Sequence, residues 1–331
     1  EQAHVDPAVE HLKKQGIDAL FLPHCNFGTE GAAGMIARKL GVPTLLWGPR
    51  DEAPLEDGKR LRDSLCGLFA SSKVLHKLGV PFTYIENCRI DDAPLREGMD
   101  RFLRSANVAA AFRKGIKIGH IGQRIDFFWT TIINESELLE RFKVEVLPID
   151  MVQFIRYAKD RAAANAAAYA DEVKRLRAEM DIIDLDDDTV ARILAVRDQM
   201  LAAVADHGLD GLAVQDFDSL VEEIGAYCFF ANSMVSDTVP VSIESDIHGA
   251  ISNILLHRAA YGDPVYLVDV TIRHPEDDNG ILLWHAGAPL SMMAPDARVE
   301  VGHHWILPSP LSGMPHFPLH SGDITVARFD G

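Results

Sequence analysis

The chain has 331 residues, 47% of them hydrophobic and 24% charged, with 49 acidic against 32 basic side chains and a formal net charge of −17. That length asks for two or three domains of ordinary globular composition. The acid excess argues against nucleic acid or an anionic membrane surface as partner, because both need clustered Lys and Arg, and no apolar run approaches the roughly 20 residues of a membrane-spanning helix.

The four cysteines, Cys25, Cys66, Cys88 and Cys228, form no CxxC pair, so zinc-finger and thioredoxin readings lack support. Free thiols in a reducing cytosol fit them best, and a cytoplasmic location is expected.

In chain order, the first half alternates strand and helix. A helical stripe at Ala8–Gln15 precedes a buried strand at Asp18–Pro23, a helix at Gly31–Leu40 and a strand at Val42–Trp47 closed by Gly48-Pro49. Helical pattern over Lys59–Leu78 leads to a short strand at Phe82–Glu86, then to a helix over Leu95–Lys114. This rhythm predicts a parallel sheet covered on both faces.

A second unit opens with the strand Ile116–Gly122, followed by a helix at Ser136–Phe142 and a strand at Val144–Pro148. Gln153–Met180 is Ala-rich and heavily charged, which predicts one long, largely exposed helix. Asp186 to Asp188 would cap a helix at Thr189–His207, ahead of strands at Gly211–Gln215 and Pro240–Glu244 and a helix at Asp246–Ala260. After Gly262, short β-type runs at 264–272, 280–284, 303–307 and 323–329 alternate with Pro, Gly and Asp clusters. The expected organisation is therefore an α/β domain at 1–112, a second at 113–262 and a β-rich domain at 263–331.

Three polar residues punctuate apolar runs near strand ends: Glu244 after Val239-Pro-Val-Ser-Ile243, Asp269 within Pro264–Val270, and His285 after Leu282-Leu-Trp284. Strands that each deliver one acid or imidazole are a way to build a site for a hard metal ion. Each residue also has a plainer role. Glu244 would favour the dipole of a helix capped by Asp246 or Ser245, Asp269 would face solvent on an edge strand, and His285 would be a hydrogen-bonded strand-end histidine. The pair His303-His304 alternates across a strand and cannot share one face.

Nucleotide chemistry finds little support. Gly28-Thr-Glu-Gly-Ala-Ala-Gly34 has the spacing GxxGxxG rather than GxGxxG, with Glu30 where a pyrophosphate would lie, and neither a Walker A sequence nor a GxSxG elbow occurs. Trp47 and Arg124, near predicted strand ends, are of the types that line sugar sites and also of the types used for packing and pairing.

Several segments, taken in order, resemble the L-fucose/L-arabinose isomerase superfamily: Leu45-Leu-Trp-Gly48, Arg62-Asp-Ser-Leu-Cys-Gly67, Ile118-Gly-His-Ile-Gly-Gln-Arg124, Ile243–Ala250, Val268-Asp269, Leu283–Pro289 and Ser321–Phe329. The resemblance implies two α/β domains followed by a barrel-like β domain, in a homotrimer or homohexamer. It further implies aldose–ketose isomerisation of a pentose, hexose or deoxyhexose through a cis-enediol, with Mn²⁺ (or Mg²⁺ or Co²⁺) as cofactor. On the matching positions, Glu244 and Asp269 would be metal ligands and the acid–base pair. His285 would be a further ligand or substrate contact, and Trp47 and Arg124 would touch the sugar.

The sequence departs from the family in carrying Ile243 before the glutamate and Ala286 after the histidine, where Cys is usual. The opening of the first domain and a further ligand histidine beyond the last strand are also expected to be missing. A catalytically inactive sugar-binding or regulatory homologue is the alternative these departures imply.

Overall fold

The computed structural model describes residues 1–307 and 309–330. Pro308 and Gly331, both inside the expected third domain, lie outside the described residues. Internal contacts divide the chain into Glu1–Arg113 and Lys114–Gly331.

The first unit runs α1 (Val5–Lys14), β1 (Leu20–Pro23), α2 (Glu30–Leu40), β2 (Thr44–Trp47), α3 (Ser64–Lys77), β3 (Phe82–Tyr84) and α4 (Ala93–Lys114). Its parallel sheet has the order β1-β2-β3. All four residues of β2 are buried, and the two-residue period of a strand sends them to two cores. Leu46 joins Val5, Val9, Ala37, Leu68 and Leu75 from the first three helices. Leu45 and Trp47 join Ile85, Cys88, Leu95 and Phe102 toward α4. A helix layer on each face is the burial that an all-parallel sheet needs.

The second unit runs β4 (Ile116–Ile121), α5 (Glu135–Phe142), β5 (Val144–Ile149), α6 (Met151–Ala164), α7 (Ala166–Glu179), β6 (Asp181–Ile182) and α8 (Asp187–His207). It continues through β7 (Gly211–Val214), α9 (Ser219–Ile224), α10 (Phe229–Ser236), β8 (Val241–Ser242) and α11 (Ile247–Ala259). A parallel sheet of order β5-β4-β7-β8 lies at its centre. Leu212 and Val214 of β7 face a large core with Ile193, Leu194, Met200, Phe229 and Phe230. Gly211 lies against Ile254 of α11, whose side chain would stand 3.0 Å from a Cβ there.

The remaining strands are β9 (Asp269–Arg273), β10 (Ile281–Trp284), β11 (Glu300–His303) and β12 (Ser312–His316). β9 and β10 make an antiparallel ribbon, while β11 pairs antiparallel with β12 and parallel with β6. The fold is thus α/β with parallel sheets, followed by small antiparallel and mixed sheets. Among the described residues no helix is long and apolar enough to cross a membrane.

Three details differ from the sequence pattern. The long helix over 153–180 is two helices, broken at Asn165, whose side-chain amide donates to the Arg161 carbonyl at 3.0 Å and competes with the backbone ladder. Residues 323–329 belong to no strand, and of the strand expected at 303–307 only His303 lies in one, at the end of β11. The segment 219–236, for which the pattern suggests no element, forms α9 and α10; its buried residues are apolar on nearly every side, which erases helical periodicity.

Gly313 of β12 has φ 122°, and a Cβ there would overlap the Tyr227 carbonyl oxygen. The same crossing is tied by Tyr227 N–H donating to the Ser312 carbonyl at 2.9 Å. Gly313→Ala is expected to cost about 3 kcal/mol, read as a melting temperature lower by roughly 10 °C in a thermal scan.

Candidate active site

Glu244 follows β8 by two residues, at the carboxyl edge of the parallel sheet, where open α/β folds bind ligands. Glu244 and Ser245 both take left-handed backbone conformations, with φ 61° and 56°. Such residues cost about 1–3 kcal/mol each and persist only where the surroundings hold them. The Ser245 N–H donates to the Val214 carbonyl at 2.9 Å, and its hydroxyl to the Gln123 carbonyl at 3.0 Å.

Asp246 then caps α11 by accepting the Gly249 N–H at 2.9 Å. Arg328 grips the same carboxylate through two nitrogens, at 2.7 and 3.3 Å. The plainer sequence reading thus holds for the cap itself: Asp246 closes the helix, which leaves the Glu244 side chain free for other work.

Asp269 opens β9, and the ribbon register sets it opposite Trp284, one residue before His285. Every residue of β9 is exposed, so the acid interrupts a solvent-facing ribbon rather than a buried strand. His285 is 9% exposed. Its Nε2 stands 3.8 Å from Glu244 Oε2 and 3.7 Å from Asp269 Oδ2, so three residues far apart in the chain converge on one nitrogen. The ring stacks on Trp284, which stacks on Trp305, which stacks on His316 at a centroid distance of 4.4 Å.

The electrostatics follow from this packing. Burial works to lower the pKa of His285, but the Glu244 carboxylate, backed by Asp269 and Asp216, outweighs it and the net shift is upward. The Ala286 N–H donates to His285 Nδ1 at 2.9 Å, which places the ring proton on Nε2, facing the two acids.

Asp216, two residues past β7, is fully buried. Burial pushes its carboxyl up to about 7, with the Glu244 charge adding to the rise, while hydrogen bonds from Asn232 and from the Glu244 backbone oppose it. The Asn232 amide donates to one Asp216 oxygen at 2.5 Å and the Glu244 N–H to the other at 3.1 Å.

As a cation site this set is only partly suited. Two carboxylates are the right donors for a hard divalent ion. A ligating histidine, however, normally donates its second N–H outward, whereas His285 Nδ1 accepts one. Among the described residues no three His, Cys, Asp or Glu side chains are arranged to hold a metal ion as they stand. Glu244 and Asp269 are thus of the donor type a hard divalent ion takes, while His285 is oriented as a proton-bearing donor rather than as a ligand.

The other two sequence candidates have structural duties. Trp47, in the first unit, is 4% exposed, and its indole N–H points at Cys88 Sγ, 3.4 Å away. That is a core placement, which leaves almost no ring face for the expected sugar contact. Arg124 lies just past β4 and donates from one nitrogen to the carbonyls of Ile125, Asp126 and Phe128, shaping the loop beside Gln123. Sequence reasoning missed Asp216, although the signal that found Glu244, an acid at the end of an apolar run, is present there too.

Comparison with known proteins adds an independent line. Residues 1–113 match the family model of the fucose/sulfoquinovose isomerase N-terminal domain. The chain is 26% identical over 293 residues to a sulfoquinovose isomerase of Alkalicoccus urumqiensis, covering 88% of this chain and 64% of that protein. It is also 26% identical over 325 residues to sulfoquinovose isomerases of Priestia aryabhattai and Priestia megaterium, covering 97% of this chain and 70% of theirs. These matches support a place in the fucose isomerase-like superfamily. The matched N-terminal domain coincides with the first structural unit. Alignment with the curated relatives continues through the second unit, which holds Glu244, Asp269 and His285.

Two outcomes follow. Asp246→Ala removes both the α11 cap and the partner of Arg328, and is expected to lower stability by about 1–2 kcal/mol in urea titration. The raised carboxyl of Asp216 makes the metal-free folded chain hold a proton that the unfolded chain has already lost between about pH 4 and pH 7. Stability from this group is present below that window and lost as pH rises through it. The stability of Asp216→Asn relative to wild type should therefore grow across the window and level off above it, measured by urea unfolding with chelator present.

Proposed function

We propose that the chain is an aldose–ketose isomerase, and that its sugar is a sulfonated hexose of the sulfoquinovose type. The observation that carries the reaction class is the meeting of Glu244, Asp269 and His285 within 4 Å of one imidazole nitrogen. The sulfonated substrate rests on the relatives named above, with L-fucose and arabinose as the comparison sugars.

Isomerisation moves a proton between C2 and C1 and a second between their oxygens, through a cis-enediol. Two carboxylates beside the proton-bearing nitrogen of one imidazole supply the groups this requires. In the proposal one of Glu244 and Asp269 takes the C2 proton and the other returns one to C1. The His285 Nε2–H donates to a substrate oxygen and steadies the charge that grows there. A divalent ion such as Mn²⁺, held by Glu244 and Asp269, would supply Lewis acidity toward the carbonyl and its neighbouring hydroxyl. The stacked rings of Trp284, Trp305 and His316 lie next to His285.

The test is ketose formation from sulfoquinovose, L-fucose and D-arabinose, with added Mn²⁺ and after chelation. Conversion of the sulfonated sugar, lost on chelation, is the expected result. Glu244→Gln and Asp269→Asn should each lower turnover roughly 10²–10⁴-fold, the usual worth of a positioned acid or base. Sugar binding without conversion under any condition would instead favour an inactive sugar-binding homologue, and wild-type turnover in Glu244→Gln would remove the assignment.

A further inference from the structure

The left-handed pair Glu244–Ser245 is secured unevenly. The Ser245 N–H, the Ser245 hydroxyl and the Asp246 N–H, on Val214, Gln123 and Ile243 respectively, all act beyond Glu244. The bond on Glu244 itself is its N–H donating to Asp216 Oδ2 at 3.1 Å. Asp216 is fully buried, and its second oxygen receives the Asn232 amide. A buried side chain facing two donors needs two acceptor oxygens. Aspartate has them, whereas asparagine has one and leucine none.

We propose that Asp216 is the positioning residue for Glu244: by accepting the Glu244 N–H it holds the left-handed backbone from which the Glu244 carboxylate reaches His285. Asp216 touches no reacting atom and acts only through Glu244. The catalytic half of this inference rests on the isomerase reading, and the structural half does not.

The surroundings suggest a discriminating substitution. Asn232 Oδ1 is buried and has no hydrogen-bond partner among the described residues. In Asp216→Asn the new carbonyl oxygen keeps the Glu244 N–H, and Asn232 turns its amide so that this spare oxygen takes the new NH₂. Asp216→Ala leaves both donors stranded. Asp216→Leu, close to aspartate in shape, does the same without opening a cavity.

The experiment measures amide hydrogen exchange by mass spectrometry on the full chain and its Asp216 variants, following peptides that cover 241–246 with β4 and α8 as internal references. It is paired with kcat and KM for sulfoquinovose. In Asp216→Ala, exchange at 241–246 should quicken at least about tenfold, with the references unchanged. In Asp216→Asn it should stay within about threefold of wild type. Turnover should follow, with kcat falling roughly 10–100-fold in Asp216→Ala and KM nearly constant, as expected when a reacting group is misplaced rather than removed.

Wild-type exchange at 241–246 in Asp216→Ala overturns the proposal, as does an equal loss in Asp216→Asn, which would assign the role to charge instead of geometry. If Asp216→Ala exchanges fast throughout, Asp216→Leu is read in its place against the same two outcomes. A wild-type chain that converts no sugar defeats the isomerase reading alone, since the exchange comparison still decides what Asp216 does.

Discussion

A strand that ends in a left-handed pair before a helix begins cannot hold itself in place. The turn at Glu244–Ser245 is kept by three groups from two other segments: Val214 and the buried Asp216 at the end of β7, and Gln123 in the loop after β4. Both are neighbours of β8 only because the sheet is parallel with the order β5-β4-β7-β8, which brings these carboxyl ends to one edge. The position of the Glu244 carboxylate is thus a property of the whole sheet. Arg328 extends the dependence further, since its bidentate grip on Asp246 ties residues near the end of the chain to the start of α11.

Negative charge is concentrated around His285 to an extent that a bare protein tolerates poorly. Glu244, Asp269 and Asp216 all raise the pKa of the imidazole, and Glu244 in turn raises that of Asp216. A cluster of this kind lowers its free energy by taking up protons or a cation. Either response suits a reaction that moves protons along a polar substrate. The net charge of −17 makes the surroundings no more welcoming to an anionic sugar. A sulfonate would therefore need local N–H donors to enter.

How much of this was legible beforehand depends on what each residue type reveals about its neighbours. Glu244, Asp269 and His285 stood out because a charged or imidazole group breaking an apolar run is conspicuous in one dimension, and the structure brings these three together. The βαβ rhythm was equally visible, since helix and strand periods differ. Trp47 read as a site residue because a strand end and a buried core position look alike in sequence; only the two-sided burial of β2 separates them. Asn165 gave no warning of a break, because one polar residue among alanines is ordinary on an exposed helix. The tautomer of His285 was out of reach in principle, being set by the backbone N–H of the next residue.

The two acids stand on very different footings. Glu244 is clamped to a four-stranded sheet, whereas Asp269 rides on a ribbon of two strands, β9 and β10, with Val270, Ile272, Ile281 and Leu282 turned to solvent. Ribbons of two strands are only marginally stable on their own. The pair therefore works like a vice with one fixed jaw and one sprung jaw. In the proposed isomerase, the gap between the carboxylates would be free to follow an open-chain sugar as carbons one and two change geometry, and release of a ketose would require only the sprung side to give way.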